Sequence, residues 1–348
     1  MSSQRAERTG GGERGEGKPI VGLTMGDPGG IGAEVIVAAY PELIEHARIV
    51  VIGDREVLAA AAELRETDAE IGIRSVRSAA EASHDPGTIA VLDLDNVREI
   101  VYGEVREEHG EASLEYVERA IELALNDEID AISTAPINKS ATRLAGADHA
   151  GHTGLLAERT GVSEYSMLLI EGPLRVTHVS THVPLREAIS LVTTDRVASI
   201  IEVTDDALRG LGIESPTIAV AGLNPHAGED GLLGSEDGEE IAPAVERARK
   251  KGIDVEGPLP PDTVYVRAAS GEFDCVVSMY HDQGHIPIKT LGFGESGAVS
   301  GVNMTIGLPI IRTSVDHGTA FDIAGEGIAS PASMIDAVRV ASEATRDS

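Results

Sequence analysis

Short apolar runs alternate with amphipathic stretches along most of the chain. The runs are rich in β-branched residues and bounded by turn residues, which predicts strands at 19–25, 48–52, 88–92, 129–134, 166–170, 174–178, 217–223, 275–280 and 304–313. The stretches between them carry apolar side chains on one face, as Val117, Ile121 and Leu125 do, and predict helices at 31–40, 112–126, 195–211, 239–251 and 331–345. Strands that alternate with helices favour an α/β fold, with a mainly parallel sheet covered by helices on both faces.

The length of 348 residues predicts two domains, or one large α/β domain with insertions. Residues 1–18 are polar and rich in Gly, Glu and Arg, and we expect a flexible tail there. Because the sequence shows no signal-peptide pattern and no run of 18 apolar residues, we expect a cytoplasmic protein. The single cysteine, Cys275, excludes an internal disulfide and a CxxC motif, and its apolar context predicts a buried, inert thiol.

Acidic residues outnumber basic ones by 58 to 28, which gives a formal charge of −30. Such a field repels nucleic-acid phosphates and anionic lipid headgroups, so we expect neither kind of partner. Lysine is rare, with 5 residues against 23 arginines, and acids crowd 63–70 and 228–240. This pattern predicts a protein of a high-salt cytosol; the alternative is an ordinary acidic protein from a GC-rich bacterium.

Three histidines, His182, His226 and His281, each follow a predicted strand. Imidazoles that converge at one sheet edge could form an open divalent-metal site, whereas the alternative for each is a hydrogen-bonded turn residue. Carboxylates nearby could fix the ring tautomers or simply cap turns, and the candidates are Asp27, Asp282 and Asp316.

His281 and His285 have the spacing of a helical ligand pair. Gly284 and Pro287 argue against a stable helix at that position, so we interpret His281 as a ligand and His285 as a bystander. The glycines at 26–32 could admit an anion to a helix N-terminus or could form a structural turn. Since neither GxGxxG nor a Walker A motif is present, a nicotinamide cofactor would not be held by the common Rossmann fingerprint.

An anionic substrate needs cationic side chains to bind it. Such side chains are few in this acidic chain, so their positions are informative. Lys139 and Lys289 lie in Pro/Gly-punctuated motifs, and Arg312 and Asn303 add a guanidinium and an amide. We predict that these side chains hold an anionic substrate. The alternative for Arg312 is an ion pair with a structural carboxylate.

Several long motifs occur in order along the chain, at 26–32 (GDPGGIG), 151–153 (GHT), 181–186 (THVPLR), 224–229 (NPHAGE), 280–284 (YHDQG) and 307–320 (GLPIIRTSVDHGTA). Together they resemble the 4-hydroxythreonine-4-phosphate dehydrogenase family, from about residue 18 to the C-terminus. The resemblance implies an isocitrate/isopropylmalate-dehydrogenase-like fold of two α/β/α domains, with the active site in the interdomain cleft. It also implies a homodimer whose metal site draws on both subunits. We place the first domain at 19–130 plus 305–348, and the second, with the dimer interface, at 131–304.

Carried over motif by motif, the resemblance implies metal ligands at His182, His226 and His281. The implied substrate contacts are His152, Thr153, Lys289, Asn303 and Arg312. Lys289 and Asp282 are the candidates for catalytic roles, since Lys289 could move protons or bind the acidic groups of the substrate. The metal would be zinc, or else magnesium, manganese or cobalt. The cofactor would be NAD, with its binding residues unassigned.

The implied reaction is NAD-dependent oxidation of a secondary alcohol beside a carboxylate, followed by loss of CO2 from the β-keto acid. The segment 135–139 (APINK) looks more like the branch that converts D-threonate or D-erythronate 4-phosphate to dihydroxyacetone phosphate. The alternative is 4-phosphohydroxy-L-threonine, the substrate in pyridoxal phosphate biosynthesis. Gly154 replaces the common Glu of the family, and extra residues at 295–300 predict a remodelled cleft rim.

Functions of other classes stay open on the sequence alone. A metal-dependent lyase or aldolase would need the same metal and anion contacts without NAD. A binding module could sense a phosphorylated acid without turnover. A dimer-forming structural protein is the weakest hypothesis, because it gives no reason for His, Lys and Arg at strand ends.

Overall fold

The structure is a computed structural model that describes residues 17–64, 71–147, 151–292 and 301–346. The predicted tail, the acidic stretch 63–70 and the insertion 295–300 lie mostly or wholly outside these residues. The strands are β1 (Ile20–Thr24), β2 (Arg48–Gly53), β3 (Gly72–Val76), β4 (Thr88–Asp93), β5 (Ala131–Thr134), β6 (Ser166–Glu171), β7 (Leu174–His178), β8 (Thr217–Ala221), β9 (Asp254–Leu259), β10 (Cys275–Ser278), β11 (Val302–Ile306) and β12 (Arg312–Val315). Within the described residues these twelve strands form one sheet, in the order β3-β4-β2-β1-β5-β12-β11-β6-β7-β10-β8-β9.

Helices cover both faces of this sheet. They are α1 (Gly32–His46), α2 (Arg55–Glu63), α3 (Glu107–Leu125), α4 (Lys139–Leu144), α5 (His152–Thr160), α6 (Leu185–Leu191), α7 (Thr194–Gly210), α8 (Ala242–Lys250), α9 (Pro261–Ala269), α10 (His281–Gly292) and α11 (Ala332–Ala344). None of the described helices is long and apolar enough to cross a membrane. The prediction of an α/β fold is confirmed.

The sheet consists of two parallel blocks that run in opposite directions. One block contains β1 to β5 and β12, and the other contains β7, β10, β8 and β9. Between them, β11 pairs antiparallel with β12 and with β6, and β6 pairs antiparallel with β7. One continuous sheet therefore passes through both predicted domains, and the domain boundaries stay a prediction.

The core follows from side-chain alternation along the strands. In the second block Ile218 and Val220 pack in one apolar cluster with α7 and α8, whereas Ala219 and Ala221 pack with α9 in another. The first block has its own large cluster. Helix α11 contributes to the clusters of both blocks, with Met334 and Val338 in one and Ala337 in the other, so it fastens the two blocks together.

The sequence prediction was wrong about the strand at 304–313. That stretch forms β11 and β12, which pair antiparallel across a turn. Gly307 lies in the turn with φ +89°, and a Cβ there would come within 2.5 Å of the Glu164 carbonyl oxygen. The continuous apolar run concealed this turn. The strands β3 and β9 were not predicted, because both are sheet edges with mostly polar or half-exposed residues.

The helix that Gly284 and Pro287 argued against is present as α10, so that prediction was wrong as well. Gly284 is needed there, because a Cβ would lie 2.4 Å from Nε2 of His178 and 2.6 Å from Val176. Helix α10 packs closely on β7 and β10, and this packing stabilises it by more than the loss of the backbone hydrogen bond that Pro287 removes. Helix α1 likewise continues through Pro41, beyond its predicted end.

Candidate active site

A cavity of about 940 Å³ lies over the central strands of the sheet, where the two blocks meet. On β12, Thr313 points to the opposite face and donates a hydrogen bond to Ala337 of α11 (2.9 Å), while Arg312 and Ser314 line the cavity. The walls come from both blocks, with residues 134–137 after β5, the first turn of α5, and residues 178–183 after β7. The cavity thus lies between the two blocks, and its assignment to the predicted interdomain active site stays a prediction.

Arg312 is 3% exposed and forms part of the floor of this cavity. Its guanidinium donates to Thr134 Oγ1 (2.7 Å) and Thr305 Oγ1 (3.1 Å), and its Nε has no partner. No carboxylate of the described chain lies within 4 Å of it, so the alternative of a structural ion pair has no support there. Burial lowers the pKa of Arg312 to about 9, which still leaves the side chain cationic at neutral pH. A buried guanidinium without an anion is costly, which is the signature of a site for an anionic ligand.

His152 and Asn303 place further unsatisfied polar atoms beside Arg312. Nε2 of His152 and Oδ1 of Asn303 are buried without a hydrogen-bond partner in the described chain. Burial, with Arg312 and Lys139 nearby, lowers the pKa of His152 well below its usual value. His152 and Thr153 begin α5, whose N-terminus has no side-chain cap among the described residues, and both line the cavity. Gly154, in the same turn, lines the cavity too.

The two predicted lysines lie in different settings. Lys139 is exposed at the start of α4, where Asn138 caps the helix by accepting from Ser140 N (2.9 Å), and it lines the cavity. Lys289 on α10 forms an ion pair with Asp316, a residue of the cavity wall. Lys289 therefore contacts the cavity wall through Asp316, which the sequence had suggested only as a possible acceptor or turn cap.

His182 and His281 meet at the rim of the cavity, with ring centroids 5.6 Å apart. Asp282 accepts from Nδ1 of His281 (2.7 Å), which leaves Nε2 of that ring for another ligand. Asp282 is exposed, so it positions His281 and does not face the cavity itself. Burial, with Lys139 and His281 nearby, lowers the pKa of His182, and the neutral imidazole is the form that binds a metal.

His226 is not brought to the other two ligands within the chain. It is exposed in the loop after β8, and no group of three His, Cys, Asp or Glu residues in the described chain is arranged to hold a metal. The loop is strained, since residues 226–230 all have left-handed backbone angles, with φ from 45° to 80°. Buried Asp237 anchors it by accepting from Leu223 N (2.8 Å) and Asn224 Nδ2 (2.9 Å).

Two histidines that the sequence left out of the site line the same cavity. His285 stacks on His281 with centroids 3.6 Å apart and planes 12° apart, and His178 lies 4.8 Å from His285. His178 ends β7, and a histidine at a strand end was a signal that could have identified it. On sequence alone, His285 is interpreted as a bystander, because Gly284 and Pro287 argue against the helix that carries it.

The glycine-rich turn at 26–32 is a packing element. Ile31 N donates to Thr319 O (3.1 Å), and buried Glu34 accepts from Gly325 N (2.6 Å) and Gly327 N (2.8 Å). These contacts hold the loop after β12 against α1. The polar groups at this turn and at the start of α1 are thus bound by other parts of the chain, as expected of a structural turn.

Comparisons with known proteins identify the family of this chain. Residues 45–341 match the family described as pyridoxal phosphate biosynthetic protein PdxA. The chain belongs to this family. The D-threonate 4-phosphate dehydrogenase of Cupriavidus necator is 47% identical over 94% of this chain and 98% of its own length. The 4-hydroxythreonine-4-phosphate dehydrogenase of Desulforapulum autotrophicum is 44% identical over 94% and 95%.

A crystal structure of a 4-hydroxythreonine-4-phosphate dehydrogenase from Burkholderia phymatum superposes on the PdxA-family chain with a TM-score of 0.83. It is 46% identical and covers 94% of this chain and 98% of its own. The predicted family resemblance is confirmed, and so is the prediction that the protein is an oxidoreductase of that family. Since relatives of similar identity carry two different substrate names, membership alone does not fix the substrate.

Proposed function

We propose that this PdxA-family chain oxidises and decarboxylates D-threonate or D-erythronate 4-phosphate to dihydroxyacetone phosphate and CO2, with NAD and a divalent metal. The observation that carries the proposal is the buried guanidinium of Arg312, which meets no carboxylate of the described chain in a cavity whose rim holds His182 and His281. An anion-binding floor beside an imidazole rim suits a substrate with an acidic group at one end and a reacting hydroxyl further along.

The cation-rich cavity favours a hydroxy acid over an amino acid. Lys139 and Arg312 line it, and Asp316 is neutralised by Lys289. A positively charged 2-ammonium group gains no ion pair from these residues and is repelled by the cations, whereas a 2-hydroxyl group is not. The curated name of the Cupriavidus necator relative supports the same choice.

The donor set fits a divalent metal. His182 and His281 present their imidazoles at one rim, and Asp282 holds the ring of His281 in one orientation. When bound there, the metal supplies Lewis-acid polarisation of the oxygen on the reacting carbon. A bound NAD would supply the hydride acceptor for that carbon. Zinc suits three histidines, and magnesium, manganese or cobalt suit a site completed by substrate oxygens.

The residues of the chain divide the remaining work. Arg312 and Asn303 bind an acidic end of the substrate, and the uncapped start of α5 at His152 and Thr153 adds donors to the same anion. Lys289, paired with Asp316, would donate a proton to the carbon that loses CO2 or bind the carboxylate. The two steps balance, since oxidation yields a β-keto acid, NADH and a proton, and decarboxylation then consumes one proton.

We further propose that the active unit is a homodimer in which at least one of His182, His226 and His281 is supplied by the second subunit. His226 lies apart from the others within one chain and is exposed. Large apolar side chains that follow these histidines closely in sequence are also exposed, namely Leu185, Ile189, Leu232, Leu233 and Ile286. A second copy that covers them would bury apolar area and bring a missing imidazole to the rim.

Mixing of single-ligand variants tests the shared site. Subunits of His226→Ala and His182→Ala, inactive alone, are co-refolded or co-expressed, as are the other two pairings. If the two lost ligands come from different subunits, half of the heterodimers' sites are intact and about a quarter of wild-type activity returns. A histidine that comes from the second subunit will be rescued in both pairings that include its variant. The pairing of the other two variants will show no rescue. No rescue in any pairing, with heterodimers verified, would place all three ligands in one subunit.

The reaction itself is tested by NADH absorbance. Purified protein in high KCl with divalent metal is given D-threonate 4-phosphate, D-erythronate 4-phosphate and 4-phosphohydroxy-L-threonine in parallel. We expect the two hydroxy acids to be preferred. Preference for the amino acid would establish the second candidate, a dehydrogenase of pyridoxal phosphate biosynthesis, which the Desulforapulum autotrophicum relative supports. Consumption of a substrate without NADH would indicate a lyase, and binding without turnover a sensing module.

A further inference from the structure

His285 occupies a defined place between the imidazole rim and the cavity. It follows His281 by one helical turn on α10, and the two rings stack at 3.6 Å. Its Nδ1 lies 3.0 Å from the backbone oxygen of His281. A carbonyl oxygen can only accept, so Nδ1 carries the hydrogen of this bond.

The other ring nitrogen is left for a ligand. Nε2 of His285 has no hydrogen-bond partner among the described residues, and the side chain lines the main cavity together with Asn303 and Asp316. Because Nδ1 donates to the His281 carbonyl, the tautomer that this geometry sets has no hydrogen on Nε2. In the neutral ring, Nε2 is a hydrogen-bond acceptor.

The ring is held firmly in this position. His281 covers one side, and His178 packs 4.8 Å away in a setting that only Gly284 permits, since a Cβ there would come within 2.4 Å of Nε2 of His178. A ring fixed by two neighbours and one hydrogen bond is preorganised, so it loses little entropy when it binds a ligand.

We propose that His285 is a substrate-contacting residue whose Nε2 accepts a hydrogen bond from the hydroxyl on carbon 2 of the phosphorylated acid. The assignment rests on the proposed function, in which the reacting carbon 3 lies beside His182 and His281. Because His285 stacks on His281, it would then meet a substituent of a neighbouring carbon. Carboxylate and phosphate oxygens carry no proton to give and would repel a lone pair, whereas the 2-hydroxyl is an O–H donor next to the reacting carbon.

The proposal is tested by a double-mutant cycle between residue and substrate. Wild type and His285→Leu are assayed with D-threonate 4-phosphate and with its 2-deoxy analogue, 3-hydroxy-4-phosphobutanoate. For His285→Leu we expect kcat/KM to fall by about 10- to 100-fold with the hydroxylated substrate and by less than about threefold with the deoxy analogue. His285→Gln, which keeps an acceptor, should recover part of the preference.

One control variant and the pattern of losses with the two substrates separate contact from a structural role. Thr290→Val alters an exposed position of the same helix outside the cavity and should leave both substrates unaffected. Equal losses with both substrates in His285→Leu would instead show that His285 only positions His281, and no loss with either would show that it does not touch the substrate. Both results would overturn the proposal.

Equilibrium binding distinguishes failure of this proposal from failure of the proposed function. The dissociation constants of D-threonate 4-phosphate and the deoxy analogue are measured by calorimetry, without NAD, for wild type and for His285→Leu. If no substrate yields NADH, the function fails, yet a hydroxyl-dependent loss of affinity in His285→Leu would still uphold the contact. Equal affinity of wild type for both acids would overturn it.

Discussion

The floor and the rim of the cavity differ in how far one chain completes them. At the floor Arg312 is 3% exposed, anchored by two threonine hydroxyls, and needs only an anion. At the rim His182 and His281 lie 5.6 Å apart, while His226 is exposed on a strained loop elsewhere. Under the proposed function, the acidic group would be bound by a residue of the sheet of one chain, whereas the metal would depend on exposed His182 and His226 and on His281 at the start of α10.

The largest effect is expected at the rim. His226→Ala should abolish turnover, a loss of at least about 1,000-fold, because a two-histidine site holds its metal too weakly. Circular dichroism and the thermal midpoint should be unchanged, since His226 is exposed. Binding of inorganic phosphate at the floor should persist. Full activity in metal-replete buffer would remove His226 from the ligand set.

Substitution of Arg312 at the floor should weaken substrate binding more than it slows the chemical steps. Arg312→Ala removes a buried charge-assisted contact worth about 2–5 kcal/mol, so kcat/KM should fall by roughly 30- to 4,000-fold, chiefly through KM. Steady-state kinetics and phosphate calorimetry measure this loss, with zinc affinity unchanged as the control. An unaltered KM would show that Arg312 serves the sheet and not the substrate.

A smaller effect is expected at Asp282, which contacts the rim only through its hydrogen bond to His281. Asp282→Asn weakens the hydrogen bond that orients His281, and we expect metal affinity to fall by about 10- to 100-fold. Titration of chelator-treated protein with zinc measures the shift, and activity should return at high metal concentration. If no excess of metal restores turnover, Asp282 has a direct chemical role, as the sequence had suggested.

The smallest effect is expected away from both regions. Burial raises the pKa of Cys275 to about 12, so at pH 8 only about one thiol in 10,000 is ionised. Folded protein should not react with iodoacetamide and should keep its activity, whereas guanidinium-unfolded protein should react fully. Rapid labelling of the folded state would contradict the buried position of the thiol.

Prediction from sequence succeeded where a local pattern was sufficient. Alternation of apolar runs and amphipathic stretches located β1, β2, β4, β7 and the helices α3, α7 and α11 within a few residues. The residues of the site also came from ordered motifs, and His152, Asn303 and Arg312 do meet in one cavity. Prediction failed at α10 and at the turn between β11 and β12, where Gly284 and Gly307 are read correctly only once their neighbours are known.

The sequence by itself determined the fold class, the absence of a disulfide framework and the chemical types available for the site, because periodicity, composition and motif order are local properties of the chain. Only the tertiary structure decided which of these groups meet. It paired Lys289 with Asp316, stacked His285 on His281 and left Arg312 without a carboxylate among the described residues. Burial, ring stacking and unsatisfied charge arise between segments that are far apart in sequence, so they become defined only when the sheet has formed.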